Sequence, residues 1–138
     1  MPENKITSYP KEKINILFLE NISDVAVKHF NAAGYTNVKK INAALSEEEL
    51  IAAIRDVHLL GIRSKTLVTK KILDAAPKLQ AIGCFCIGVN QVDLATATAN
   101  GVVVFNAPYS NTRSVAELVI GASIMLIRKI IDKNKAAH

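Results

Sequence analysis

The sequence predicts an α/β fold: a five-stranded parallel sheet layered between helices as a three-layer sandwich. Two observations predict it. Short apolar, β-branched runs alternate with amphipathic segments along nearly all of the 138 residues, the pattern that strand–helix–strand units with right-handed crossovers produce. The first of these runs, Ile14–Leu19 (INILFL), is apolar at every position but Asn15, as suits a central strand buried on both faces.

The elements follow in order. Residues 1–13 form a polar lead-in broken by Pro10, and the first strand starts at Ile14. Ser23 caps a helix to Ala33, with Val25, Ala26, His29, Phe30 and Ala33 at three- and four-residue spacing and Gly34 as the stop. His29 on that stripe reads as a packed or rim residue rather than a ligand. Tyr35–Ile41 is a weaker, edge-like strand. Ser46 and Glu49 have capping-box spacing before a helix running to Asp56. Val57–Ile62 is the third strand, Thr69–Ala76 a short helix ended by Pro77, and Leu79–Cys84 the fourth strand. Asp93 caps a helix over Leu94–Ala99, closed by Asn100 and Gly101. Val102–Phe105 is the fifth strand, and a polar turn, Asn106–Thr112, leads into a long apolar helix. Ser114 and Glu117 again have capping-box spacing, which places that helix start near Ser114 and leaves Glu117 as a cap.

Composition narrows the function. One domain of this length buries a substantial core. No apolar run reaches the roughly 18–20 residues a membrane-spanning helix needs, and the amino terminus lacks the apolar segment of a secretory signal, so a cytoplasmic setting without membrane contact is expected. The net charge is +5, but the lysines are scattered, no basic helix interleaves with aromatics, and there is no tryptophan. Nucleic acid is therefore not an expected partner. The densest cationic cluster, Arg128, Lys129, Lys133 and Lys135, suits a solvated helix end. Cys84 and Cys86 stand two apart without a histidine or second cysteine pair beside them; they read as reduced thiols, and no metal site is expected.

Three polar segments follow strands and so share the carboxyl edge of the sheet, where open α/β sheets bind ligands. Arg63, Ser64, Lys65 and Thr66 follow the third strand and offer a guanidinium fork, hydroxyls and an ammonium. Ile87–Gln91 follows the fourth, where Gly88 lets backbone amides approach an oxyanion. Asn106–Thr112 follows the fifth. Taken singly each is compatible with a solvated loop; together they describe an anion site. Neither G-x-G-x-x-G nor G-x-x-x-x-G-K-[ST] occurs, and none of the three loops contains a histidine. No catalytic residue is assigned.

The segments GIRSKT (Gly61–Thr66), AIGCFCIGVNQVDL (Ala81–Leu94) and VFNAPYSNTRSVAELVIG (Val104–Gly121) resemble the NAD-dependent D-2-hydroxyacid dehydrogenases, within them the D-3-phosphoglycerate dehydrogenase branch. The resemblance covers the chain from Lys13 onward. It implies a flavodoxin-like substrate domain and oxidation of 3-phosphoglycerate to 3-phosphohydroxypyruvate with NAD, in serine biosynthesis. By resemblance, Arg63 and Ser64 contact the phosphate or carboxylate end of the substrate, amides at Ile87 and Gly88 hold its carboxylate, Asn111 lines the cleft, and Val115 approaches the nicotinamide. Lys65 stands where an arginine is common, keeping the charge but losing the bidentate fork.

The resemblance also implies what this chain lacks. The family's glycine-rich cofactor motif, catalytic histidine with its carboxylate, and active-site arginine belong to a nucleotide domain absent from this sequence. The expectation is a truncated half-domain, catalytically inactive alone, with no NAD bound and a weak affinity for 3-phosphoglycerate or a related small anion. Its terminal helix, 112–138, must then bury its apolar stripe, by folding back in a monomer or by exchange in a swapped homodimer. A stand-alone flavodoxin-like binding module for small phosphorylated acids is the alternative. A receiver or flavin-binding domain is disfavoured, because Leu19, Glu20 and Asn21 supply neither a phosphate-cradling loop nor an acidic pair.

Overall fold

The computed structural model describes residues 9–137. After a short 3₁₀ turn at Lys11–Lys13 the elements are β1 (Asn15–Phe18), α1 (Asp24–Ala32), β2 (Asn37–Lys40), α2 (Glu47–Ile54), β3 (Leu59–Ile62), α3 (Lys70–Asp74), β4 (Ala81–Cys84), α4 (Leu94–Ala99), β5 (Val103–Asn106), α5 (Thr112–Ile127) and α6 (Ile130–Ala137). The chain divides into two compact units, one reaching to Ala107 and one starting at Pro108.

The first unit is the expected α/β sandwich. Its five strands lie in the order β2-β1-β3-β4-β5, and every neighbouring pair is parallel. Side chains alternate across a strand, so β1 feeds two cores. Leu17 joins Leu60, Ile62 and Ile82 under Leu50 and Ile54 of α2, Ile72 of α3 and Ala97 of α4. Ile16 and Phe18 face the other way, against Ala26, Val27 and Phe30 of α1. Each fully buried aliphatic side chain contributes roughly 1.5–3 kcal/mol. As the sequence indicates, β2 is an edge strand, and its partly exposed NVKK pattern fits that position.

Gly61 is required by packing. A Cβ there would clash with Cδ1 and Cε1 of the Phe18 ring, and that ring stacks edge-on against Phe30 at 5.5 Å and Phe85 at 5.7 Å between centroids.

Three of the four helix caps read from the sequence form. Ser23 accepts from the Val25 amide, the Ser46–Glu49 capping box is complete in both directions, and Asp93 accepts from the Thr96 amide. The fourth, at Ser114 and Glu117, does not form. Helix α5 starts two residues earlier, at Thr112. Glu117 instead accepts from Arg113 Nε at 2.7 Å, one turn away, because Arg113 lies inside the helix at the i,i+4 spacing that brings opposite charges together.

In the second unit the apolar run is not one continuous helix. Lys129 has φ 49°, and a left-handed residue ends a helix by turning its next amides back onto the last turn: Lys129 N–H donates to the Leu126 carbonyl at 3.0 Å. The chain restarts as α6 one residue later. No described helix is long and apolar enough to cross a membrane.

Candidate functional site

The ends of β1, β3, β4 and β5 bring the polar segments of the first unit to the carboxyl edge of the sheet. Strand register fixes their spacing, because Ile62 pairs with Cys84 and Cys84 with Asn106. Each following loop therefore begins at the same level.

The loop after β3 is built around Glu20, for which no sequence motif indicates such a role. Glu20, just beyond β1, is only 6% exposed. Its carboxylate accepts three backbone amides: Arg63 at 3.1 Å, Lys65 at 2.9 Å and Thr66 at 2.9 Å. Burial by itself would raise its pKa, but the Thr66 side chain and the amides of Lys65, Thr66 and Arg63 outweigh burial and hold the carboxyl below the ordinary 4.5. The group stays charged at neutral pH. Glu20 and Asn21 both lie in the left-handed region, at φ 58° and 54°, a conformation that costs a non-glycine residue on the order of 1–2 kcal/mol. The three charge-assisted hydrogen bonds offset it.

This arrangement decides which parts of the loop face outward. The amides of Arg63, Lys65 and Thr66 are committed to Glu20, and Thr66 is buried. What remains for an external anion is the Ser64 amide, the Ser64 hydroxyl, and the exposed Arg63 and Lys65 side chains. Neither cation has a carboxylate partner among the described residues.

The loop after β4 has the complementary pattern. The carbonyl of Ile87 accepts from Asn106 Nδ2 at 2.7 Å, and that of Gly88 accepts from Gln91 Nε2 and from the Cys86 thiol, each at 3.3 Å. The Ile87 and Gly88 amides take no protein acceptor among the described residues. A Cβ on Gly88 would meet Asn90 Oδ1 at 2.7 Å, so glycine keeps this amide approachable beneath the Asn90 side chain.

Gln91 joins the two loops. It is 5% exposed, and its Nε2 donates to the Arg63 carbonyl at 2.8 Å and approaches Cys86 Sγ at 3.3 Å. Just behind, Val68 and Val92 form a parallel bridge. A cleft of about 300 Å³, lined by Asn21, Ile22, Ser23, Arg63 and Phe85, opens beside the Arg63 loop. A separate groove of about 490 Å³ lies between β1, β2 and α2 around Asn15, Asn37 and Asp56 and contains none of the candidate residues.

The structure thus brings together Arg63, Ser64, Ile87 and Gly88. Asn111 and Val115 belong to the second unit. Asn111 precedes α5 and makes no side-chain capping bond; its carbonyl accepts from the amide of Val115, in the first turn, at 2.9 Å. Of the two thiols, Cys84 is buried, and burial, reinforced by nearby Cys86 and Glu20, pushes it up to about 11. No described cluster of histidine, cysteine and carboxylate side chains could hold a metal.

The model of the D-isomer specific 2-hydroxyacid dehydrogenase catalytic domain matches residues 16–131, nearly the whole of this architecture. The chain belongs to that family. Among relatives, a D-3-phosphoglycerate dehydrogenase of Escherichia coli K12 is 51% identical over 131 residues, covering 95% of this chain and 32% of the relative. One from Dictyostelium discoideum is 54% identical over 132 residues, covering 96% and 32%. The chain thus spans about a third of the length of these relatives. A cofactor(NAD+)-bound 3-phosphoglycerate dehydrogenase of Entamoeba histolytica superposes with a TM-score of 0.68 at 25% identity, over 81% of this chain and 39% of that one. The TT0316 protein of Thermus thermophilus, at 20% identity, shares the fold with a TM-score of 0.79 over 90% and 40% of the two chains.

Proposed function

We propose that this chain is the substrate-holding part of a D-3-phosphoglycerate dehydrogenase, a cytosolic enzyme that oxidises 3-phosphoglycerate with NAD in serine biosynthesis. The observation that carries this reading is the pairing of two cationic side chains after β3 with two amides after β4, none of which has a salt-bridge or backbone partner among the described residues, at one level of the sheet edge. A small dianion with a carboxylate at one end and a phosphate at the other suits such a pair of loops. Arg63 and Ser64 take one end, and the amides of Ile87 and Gly88 the other.

The residues present do not fit a dinucleotide. No glycine-rich phosphate loop occurs in the sequence, and of the assigned positions only Val115 is expected near a nicotinamide. The three loops also hold no histidine to accept the substrate's hydroxyl proton. The chain therefore binds the acid without oxidising it, and mixing it with 3-phosphoglycerate and NAD produces no NADH. Whether α5 folds back in a monomer or is exchanged in a homodimer is read by light scattering after gel filtration: one subunit mass supports the first, two the second.

Titration calorimetry tests the binding role. Saturable binding of 3-phosphoglycerate that weakens roughly tenfold in Arg63→Gln, as the loss of a charge-assisted contact would give, supports it. Equal affinity in the variant, or no binding to the folded chain, refutes it.

A further inference from the structure

Arg63 leaves the sheet directly after β3, and its peptide is gripped on both sides by side chains from other strand ends. Glu20, after β1, accepts from its amide at 3.1 Å. Gln91, beyond β4, donates to its carbonyl at 2.8 Å. Both side chains are at least nine-tenths buried.

A buried carboxylate and a buried carboxamide are costly unless their hydrogen bonds are made. Here they are made almost entirely to the loops that carry the candidate ligands. Glu20 serves the Arg63, Lys65 and Thr66 amides; Gln91 serves the Arg63 and Gly88 carbonyls and the Cys86 sulfur. Apolar side chains would close the same space without the desolvation cost. What the polar pair adds is a fixed backbone at a point where no strand or helix fixes it.

We infer that Glu20 and Gln91 are positioning residues: together they set the direction in which Arg63 presents its guanidinium, and Gln91 keeps that group in register with the Ile87–Gly88 amides. A donor held in place before the anion arrives loses less freedom on binding. The inference rests on the reading of Arg63 as the anion ligand, and its test separates the two.

The full chain and its Arg63→Gln, Gln91→Met and Glu20→Gln variants are titrated with 3-phosphoglycerate and followed by amide NMR, with circular dichroism confirming the fold. Gln91→Met keeps the side-chain length and removes the donor; Glu20→Gln keeps the shape and turns an N–H toward the Lys65 amide. The expected result is weakening of roughly tenfold in Arg63→Gln and of about three- to tenfold in the two clamp variants, with faster hydrogen exchange at Arg63 to Thr66. Unchanged affinity in Arg63→Gln removes the ligand assignment. Weakening in Arg63→Gln with wild-type affinity and exchange in both clamp variants overturns the positioning role while leaving the ligand assignment intact. Should the clamp variants fail to fold, the backbone order parameters of Arg63 and Ser64 in the unmodified chain decide: values of a rigid backbone support the clamp, and values of a flexible loop overturn it.

Discussion

The Glu20 carboxylate accepts the amide of Thr66 at 2.9 Å across a separation of 46 residues, and through this bond and its two companions the end of β1 organises the loop after β3. The consequence is a pH dependence with a definite sign. The folded-state pKa of Glu20 lies below 4.5, so its contribution to stability is complete above about pH 4.5 and is lost as the pH falls through the folded-state value. Urea unfolding at stepped pH measures it. The curve for Glu20→Gln lies about 2 kcal/mol lower at neutral pH, and the gap from wild type closes on acidification. Other carboxyls, among them Asp24 and Asp56, are also lowered, so the difference between the two curves isolates Glu20.

The two serine–glutamate pairs predict opposite outcomes. Ser46→Ala removes a complete capping box and costs about 1 kcal/mol. Ser114→Ala, inside a helix that begins at Thr112, changes stability by less than about 0.5 kcal/mol. Equal losses in denaturant melts would contradict the start of α5.

Gly61→Ala forces a methyl into the Phe18 ring. Because Phe18 is buried between Phe30 and Phe85, the ring cannot withdraw freely, and overpacking of this kind costs about 1–3 kcal/mol. Thermal unfolding checks it; an unchanged midpoint would show that the ring has room to move.

The cysteines differ in reactivity. Cys84 is buried with its thiol pushed up to about 11, while Cys86 is partly exposed. Iodoacetamide at mildly alkaline pH is expected to modify Cys86 alone in the folded chain and both thiols in urea, read by mass spectrometry. Because Cys86 touches Gly88 and Gln91, its modification is expected to weaken the proposed binding of 3-phosphoglycerate as well.

The strands and most caps were legible because their signals are local. INILFL is apolar at every position but one, and Ser46–Glu49 and Asp93 sit at fixed offsets from the helices they start. Helix α5 starts before the position that the Ser114–Glu117 spacing indicates, because Arg113 offers Glu117 a competing partner that this spacing ignores. The break at Lys129 carries no glycine or proline to announce it. Arg63, Ser64, Ile87 and Gly88 could be placed at one edge because each follows a strand. Glu20 and Gln91 could not be found the same way, since their roles depend on contacts with loops far along the chain. A carboxylate directly after a buried strand, where charge is costly, was the available signal.

On the proposed reading the sheet edge holds a preformed anion site. Titrating the nitrogen-labelled chain with 3-phosphoglycerate and following its amide spectrum tests this most directly. The expected result is that Arg63, Ser64, Ile87 and Gly88 shift together along one saturating curve while Asn37 and Asp56, at the far groove, stay still. A well-dispersed spectrum in which those four amides do not move would contradict it.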